Sequence, residues 1–506
     1  MRRPSYTSAL ILFVCLCLIA GQQALAQGYD TPLTVQSLNQ KTLQSARSRA
    51  AGGITLGLSG EASLMFTNPA LLQTIDRISV SVGGSSFNEK SFQDQRYGGS
   101  QTHSMLHLLT EGVVGWIKNP DSIRGTPTLT DTVQRPFDAI GPDWNHSKTK
   151  SGLLQAFVAV PFQIEEIPFV AGVGMIEWAN LNRFYGNNNC FSPSVLSVLD
   201  GTIRNSTLNA TPYVSQWYQY TQERDGSIKG YGAALSVKPM EELALGLSGV
   251  ILSGKSDDYE TRVGRGMMTF LTSALRLTKH QMISYQKTGT SDYKGFELTL
   301  GGTYTGKHFT FGFSVKPPTT ITRSFTTNML LDSVSAVSRV NPRVDSLHTV
   351  TSSSVSGEDK MNLPWRGTVG ISINFSKALT VGLEYEIRSY ASATYTDANG
   401  VESNPWLSAS LWHVGAEYRP YDWLAVRGGA REDAEVYEPL SNAIRGEAPR
   451  YTVYTAGLGF TFMGAELNLA YEYGDRGYVD AWANSASVNR AFRSAYVADI
   501  SYAIPW

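Results

Sequence analysis

From about residue 77 to the end of the chain, apolar and polar positions change places with a period of two. Leu379, Val381, Leu383, Tyr385 and Ile387 fall on one side of one such run, with Thr380, Gly382, Glu384, Glu386 and Arg388 on the other. Phe309, Phe311, Phe313 and Val315 alternate with Thr310, Gly312, Ser314 and Lys316. Leu467, Leu469, Tyr471 and Tyr473 do the same against Glu466, Asn468, Ala470 and Glu472. The last run closes the chain on Tyr496, Ala498, Ile500, Tyr502, Ile504 and Trp506. Period two is the mark of a strand with two unlike faces. These runs approach the 9–11 residues of a transmembrane strand rather than the 5–6 usual in soluble sheets. Tyr385, Trp412, Tyr418, Tyr471 and Tyr473 lie toward run ends, where an interfacial aromatic girdle belongs.

Six short connections join paired runs, at 163–168, 239–242, 306–307, 376–378, 420–422 and 463–465. Long polar stretches separate the pairs, at 89–150, 182–226, 263–290, 326–364, 396–409, 436–450 and 478–491. Short turns at one end and long loops at the other are the asymmetry of an outer-membrane barrel. Six pairs, one strand near 77–88 and one final strand predict fourteen. An even count returns both ends to the periplasmic side. Within the long stretches, 213–221 is expected to extend a strand above the membrane. Residues 266–277 are expected to form a short amphipathic helix.

Composition fits a barrel and narrows the alternatives. Mean hydropathy is −0.16, which alternation produces even in a membrane protein. A net charge of −1 gives no basic excess for nucleic acid. Arg2 and Arg3, an apolar run at 9–20 and Ala24-Leu25-Ala26 have the layout of a signal peptide spanning 1–26. Cys190 is then the one cysteine of the mature chain, so no intramolecular disulfide is expected. No catalytic, phosphate-binding or metal motif is present, and a non-enzymatic protein without cofactor or metal is expected.

Residues 27–76 do not alternate. Arg49-Ala50-Ala51-Gly52-Gly53 and Glu61-Ala62-Ser63 lead into Asn68-Pro69-Ala70 just before the first strand. A fourteen-strand barrel has a lumen that wall side chains cannot fill, so this segment is expected to plug it. The order of leader, small-residue segment, Asn-Pro-Ala and barrel resembles the FadL/TodX family of outer-membrane transporters for hydrophobic compounds. Leu363-Pro364 before a strand is also similar to that family.

The resemblance implies an all-β fold: a transmembrane antiparallel barrel of about fourteen strands (77–506) with an N-terminal hatch (27–76) in a Gram-negative outer membrane. It implies passive uptake of long-chain fatty acids or other hydrophobic compounds, with outer-membrane lipid around the protein. Under it, Asn68, Pro69 and Ala70 form the hatch motif. Leu64, Met65, Phe66, Leu71 and Leu72 are expected to line an inner ligand pocket. Met267, Met268, Phe270 and Leu271 are expected to capture ligand outside. Gly172 and Gly174 are expected to form a lateral gap in the third strand. Arg388, Arg427 and Arg431 fall on lumen faces, where each either meets a solute carboxylate or pairs with Glu384, Glu386 or Glu417. Three other readings stand beside transport: a PorV-like component of a secretion system that binds a protein partner, a structural barrel or adhesin, and an outer-membrane enzyme.

Overall fold

The computed structural model describes residues 45–58, 60–97, 144–193, 203, 205–272, 275–278, 282–337, 345–436, 449–482 and 485–504. The expected signal peptide lies outside them. Fourteen antiparallel staves carry the fold. They are β1 (Ile78–Tyr97), β2 (Trp144–Ile164), β3 (Ile167–Asn180), β4 (Tyr213–Val237), β5 (Leu243–Phe270) and β6 (Met282–Thr305). Then come β7 (Phe309–Lys316, continuing as Thr319–Val337) and β8 (Asp345–Leu363, continuing as Arg366–Asn374). The last six are β9 (Leu379–Arg388), β10 (Leu411–Tyr421), β11 (Leu424–Ala434), β12 (Arg450–Phe462), β13 (Ala465–Trp482) and β14 (Ser485–Ile504). The sheet closes where β14 pairs with β1, from Ile78↔Ile504 to Tyr97↔Ser485. Among the described residues, closure leaves none of the fourteen staves at an edge within the lipid-facing belt, as a bilayer requires.

Burial along the staves is the reverse of a soluble sheet. In Phe309–Lys316 the three phenylalanines are exposed, while Thr310, Gly312, Ser314 and Lys316 are buried. Every stave places at least one large apolar residue outside, among them Val82, Val158, Val173, Leu235, Leu247 and Leu298 on the first six. Phe311, Ile371, Leu383, Val414, Val426, Leu458, Leu467 and Ile500 continue the belt around the other eight. An apolar band of this extent on a closed barrel is a lipid-facing surface. Exposed Trp412, Tyr454, Tyr473 and Tyr496 edge it toward one end, and Tyr421, Trp423 and Tyr502 toward the other.

All six short turns form where the alternation breaks. Glu165 and Glu166 both have positive φ, as do Met463 and Gly464, which is the two-residue hairpin geometry that matches strand twist. The opposite end differs from the sequence expectation. Much of the polar sequence expected as loop is strand: β5 runs for 28 residues and β4 for 25. At about 3.3 Å per residue β5 is roughly 90 Å long, several times what the bilayer core requires. Its outward face is apolar at Leu245, Leu247 and Ile251, then polar from Ser253 upward. Strand pairing thus continues beyond the lipid, where both faces can be polar. The expected helix at 266–277 is not formed. Met268 pairs with Ser215 and Leu277, and Phe270 with Tyr213 and Leu275, in an antiparallel hairpin. Backbone partners on both sides outweigh a helical apolar spacing that lies within one short window.

A pair of prolines interrupts the wall. Pro317 and Pro318 split β7 opposite Pro364 in β8. Proline has no N–H to give to the ladder. Behind this break Glu297 accepts from Lys316 (2.6 Å) and Arg366 (2.8 Å), all three buried.

Candidate functional site in the lumen

Residues 45–58 and 60–76 lie inside the barrel and touch its wall on most sides. A one-turn helix, Ala46–Ala50, is capped by Ser45, whose side chain accepts from the Ser48 amide. The Ala46 amide donates to Asp499 on β14 (2.6 Å). Arg47 binds Glu417 on β10 with two bonds of 2.8 Å. Arg49 reaches Glu472 on β13 at 3.1 Å. The Gly52 amide donates to Thr455 on β12 (2.9 Å), and the Leu56 amide to Glu384 on β9 (2.7 Å). These barrel groups stand on polar faces that the alternation turns inward, so the segment replaces water as their partner.

The expected hatch residues are all buried here. Leu64, Met65 and Phe66 sit on the 3-10 turn Ala62–Phe66, and Leu71 and Leu72 on Pro69–Thr74. Asn68 caps the second turn by accepting from the Ala70 amide (3.2 Å) and donates to the Phe313 carbonyl (3.2 Å). Phe66 packs on Phe157 of β2 at 5.7 Å between ring centroids. The apolar five therefore fix the segment to the wall. They do not line the cavity above the segment; Leu71 borders a separate pocket at the periplasmic turns.

That upper cavity, of about 180 Å³, rests on the segment, with Arg49 in its floor and Asn180–Tyr185 above. Part of its wall is apolar: Phe87 of β1, Leu154 of β2, Trp178 of β3 and Phe184. Leu154 owes its inward place to a bulge, and Trp178 stands at a second bulge on the even-numbered face of β3 that already turns inward with Val170 and Ile176. Pairing skips Leu154 between Gly83↔Gln155 and Gly84↔Leu153. It skips Trp178 between Glu177↔Lys229 and Ala179↔Ile228. A bulge inserts one residue and re-aims a side chain, and both residues are buried against the lumen. The rest of the lining is charged. Arg388 binds Glu386 (2.7 Å) and Arg431 binds Glu472 (2.8 Å). Glu435 faces Arg183 at 3.9 Å and also pairs with Arg476, and Arg493 pairs with Glu89.

Two of the three arginines proposed from the sequence, Arg388 and Arg431, thus line the cavity. Arg427 lies lower, bound to Glu417 (2.6 Å), Asn468 (2.7 Å) and Glu466 (3.1 Å). Of the two sequence alternatives for these arginines, the structure shows carboxylate pairing in all three. Among the described residues, no cluster of three or more His, Cys, Asp or Glu is placed to hold a metal ion.

The other predicted positions lie elsewhere. Gly172 and Gly174 are paired without a register shift to Ala159 and Phe157 on β2, and to Ala234 and Gly232 on β4. The ladder is continuous there, so the expected gap is not formed at these glycines; the irregularity of β3 is at Trp178. Gly172 instead makes room for Met65, whose Cε would stand 2.6 Å from an added Cβ. Met268 and Phe270 are fully buried and Met267 and Leu271 half-buried, so these four form no exposed greasy patch. The Phe270 ring meets Tyr213 edge-on at 6.2 Å. The sequence reading missed Leu154, because a bulge breaks the alternation used to assign faces, and it passed over Trp178, which shares the inward parity of Val170 and Ile176. It also missed Arg49, Arg476 and Arg493, whose partners lie on other elements.

A closed, lipid-facing barrel whose lumen holds its own N-terminal segment is a transmembrane barrel of the plugged class. Solved structures of FadL/TodX-type barrels share its overall fold. A Pseudomonas aeruginosa FadL homologue is similar over 92% of this chain and 99% of its own, at 13% identity and a TM-score of 0.56. The P. putida toluene transporter TodX is similar over 91% and 98%, at 12% identity and a TM-score of 0.52. A deltaS2 mutant of the TodX monoaromatic hydrocarbon channel matches over 92% and 100%, at 13% identity and a TM-score of 0.55. No family model and no curated protein matches the chain. At this identity the likeness establishes the fold, that of an outer-membrane β-barrel.

Proposed function

We propose that this chain is a non-enzymatic outer-membrane conduit through which small hydrophobic compounds pass by diffusion, with residues 45–76 as the hatch that shifts to let them through. The observation that carries this reading is the cavity seated directly on the segment inside a closed, lipid-embedded wall. A polysaccharide-coated leaflet impedes greasy solutes, and a plain aqueous pore does not help a molecule that avoids water. The fold shared with channels described for toluene and monoaromatic hydrocarbons supports the same reading. At about 180 Å³, the cavity is closer to the roughly 150 Å³ that holds benzene in an engineered cavity than to the volume of a long-chain acid. We therefore favour single-ring compounds over long-chain fatty acids.

The test is uptake of radiolabelled toluene by a Gram-negative host that lacks its own channel of this type. Expression is expected to raise the initial rate several-fold, with no loss on addition of an uncoupler. A rate equal to that of the empty-vector host overturns the proposal.

One observation favours a second reading, a barrel that binds a protein partner. The tall strands of β4, β5, β6, β7 and β8 pair far above the apolar belt and give an ordered polar wall. A stoichiometric protein retained through gentle extraction, together with no toluene uptake, supports that alternative.

A further inference from the structure

The cavity lining narrows the solute class, and this inference rests on the conduit reading above. We propose that the chamber selects a single aromatic ring carrying an uncharged hydrogen-bonding group, phenol being the simplest case, over a bare hydrocarbon or an aromatic carboxylate.

The chamber has two kinds of surface. Phe87 and Phe184, both half-buried, offer apolar contact to a ring, with Leu154 delivered beside them by the bulge in β2. Elsewhere the lining is charged, at Glu386–Arg388, Arg431–Glu472 and Arg476–Glu435. A bare hydrocarbon that fills the chamber displaces water from these groups and returns no hydrogen bond. Leaving a buried polar group unsatisfied costs about 1–3 kcal/mol, so toluene is penalised.

A carboxylate meets a different obstacle. The lining holds six arginines and seven carboxylates, a formal balance of 6 − 7 = −1 with His413 neutral. Each of the six arginines already faces a carboxylate within the chamber. Benzoate therefore adds a charge to a site without excess positive charge. A neutral hydroxyl has neither handicap. It donates to a carboxylate oxygen, which offers several lone-pair sites beyond those used by its arginine. A phenolic group with a pKa near 10 remains neutral at pH 7, and its ring lies against Phe87 and Phe184.

The experiment is equilibrium dialysis of the full chain in lipid nanodiscs against radiolabelled phenol, toluene and benzoate, with protein-free nanodiscs subtracted. Phenol is expected to bind at least tenfold more tightly than either other probe. Tightest binding of toluene or of benzoate overturns the inference and leaves the conduit standing. Binding of none of the three, with toluene uptake still present in cells, also overturns the inference alone; with uptake absent as well, the conduit reading falls too. A Glu472→Gln variant tests the charge balance separately. It releases Arg49 and Arg431 from their shared partner and is expected to raise benzoate affinity about tenfold relative to phenol. An unchanged ratio in protein that still shows the heat-modifiable migration of a folded barrel overturns the charge argument.

Discussion

Gly246 on β5 and Gly301 on β6 are cross-strand partners, and the Asn68-Pro69-Ala70 turn occupies the space that both side chains leave empty. A Cβ on Gly246 would stand 2.4 Å from the Pro69 carbonyl carbon, and one on Gly301 would stand 2.1 Å from Asn68 Oδ1. The seat is cut into the wall by two absent side chains. Gly301→Val is expected to lift the turn while leaving the barrel closed, since overpacking costs about 1–3 kcal/mol. Single-channel recording in planar bilayers checks this: ion conductance is expected to rise above the wild-type level. Unchanged conductance would show that the turn keeps its place.

Not every glycine near the segment matters equally. At Gly172 an added Cβ meets the end of the flexible Met65 side chain, whereas at Gly415 it meets the Ala51 carbonyl oxygen at 2.0 Å. A side chain can turn aside; backbone held by neighbouring bonds cannot. Gly172→Ala is expected to cost under about 1 kcal/mol and Gly415→Ala about 1–3 kcal/mol. Hydrogen exchange of the amides at 46–56 separates the two, with faster exchange in Gly415→Ala. Equal exchange in both variants contradicts this difference.

Glu417 holds three arginines: Arg47 (2.8 Å), Arg419 (2.8 Å) and Arg427 (2.6 Å). Glu417→Gln leaves buried guanidinium charge without its main partner, a loss of about 3–5 kcal/mol. Arg47→Met leaves Glu417 with two cations, and its expected cost is nearer the 1.5–3 kcal/mol, roughly, of charged hydrogen bonds. Urea unfolding in lipid vesicles is expected to rank Glu417→Gln as the less stable of the two. The reverse order would place the critical charge on the segment.

The lipid belt makes its own prediction. Leu247 is in the apolar band of β5, while Lys255 stands eight positions further along the same strand with its side chain 86% exposed. Leu247→Arg is expected to destabilise by about 2–4 kcal/mol, as a cation near the bilayer midplane does. Lys255→Ala is expected to stay within about 0.5 kcal/mol. Vesicle-based unfolding midpoints measure both, and equal effects would move the belt.

The strand rhythm, the six tight turns and the total of fourteen were legible in the sequence because alternation and turn chemistry are local. The inward position of Glu384, Glu386, Arg388, Arg427 and Arg431 was legible too, since parity within a strand fixes the face. The segment before β1 announced itself by lacking alternation. Only the tertiary structure decided what the lumen holds. Leu154 reaches the chamber through a bulge that reverses parity, and a bulge is set by pairing with neighbouring strands. The arginine partners were likewise hidden, because Arg47 and Glu417 are 370 residues apart and meet only when the barrel closes around the segment. The upper strands, expected as loops, had the same cause: above the lipid nothing imposes an apolar face. There, pairing with the adjacent strand decides the structure, and the alternation that reveals a strand in sequence is lost.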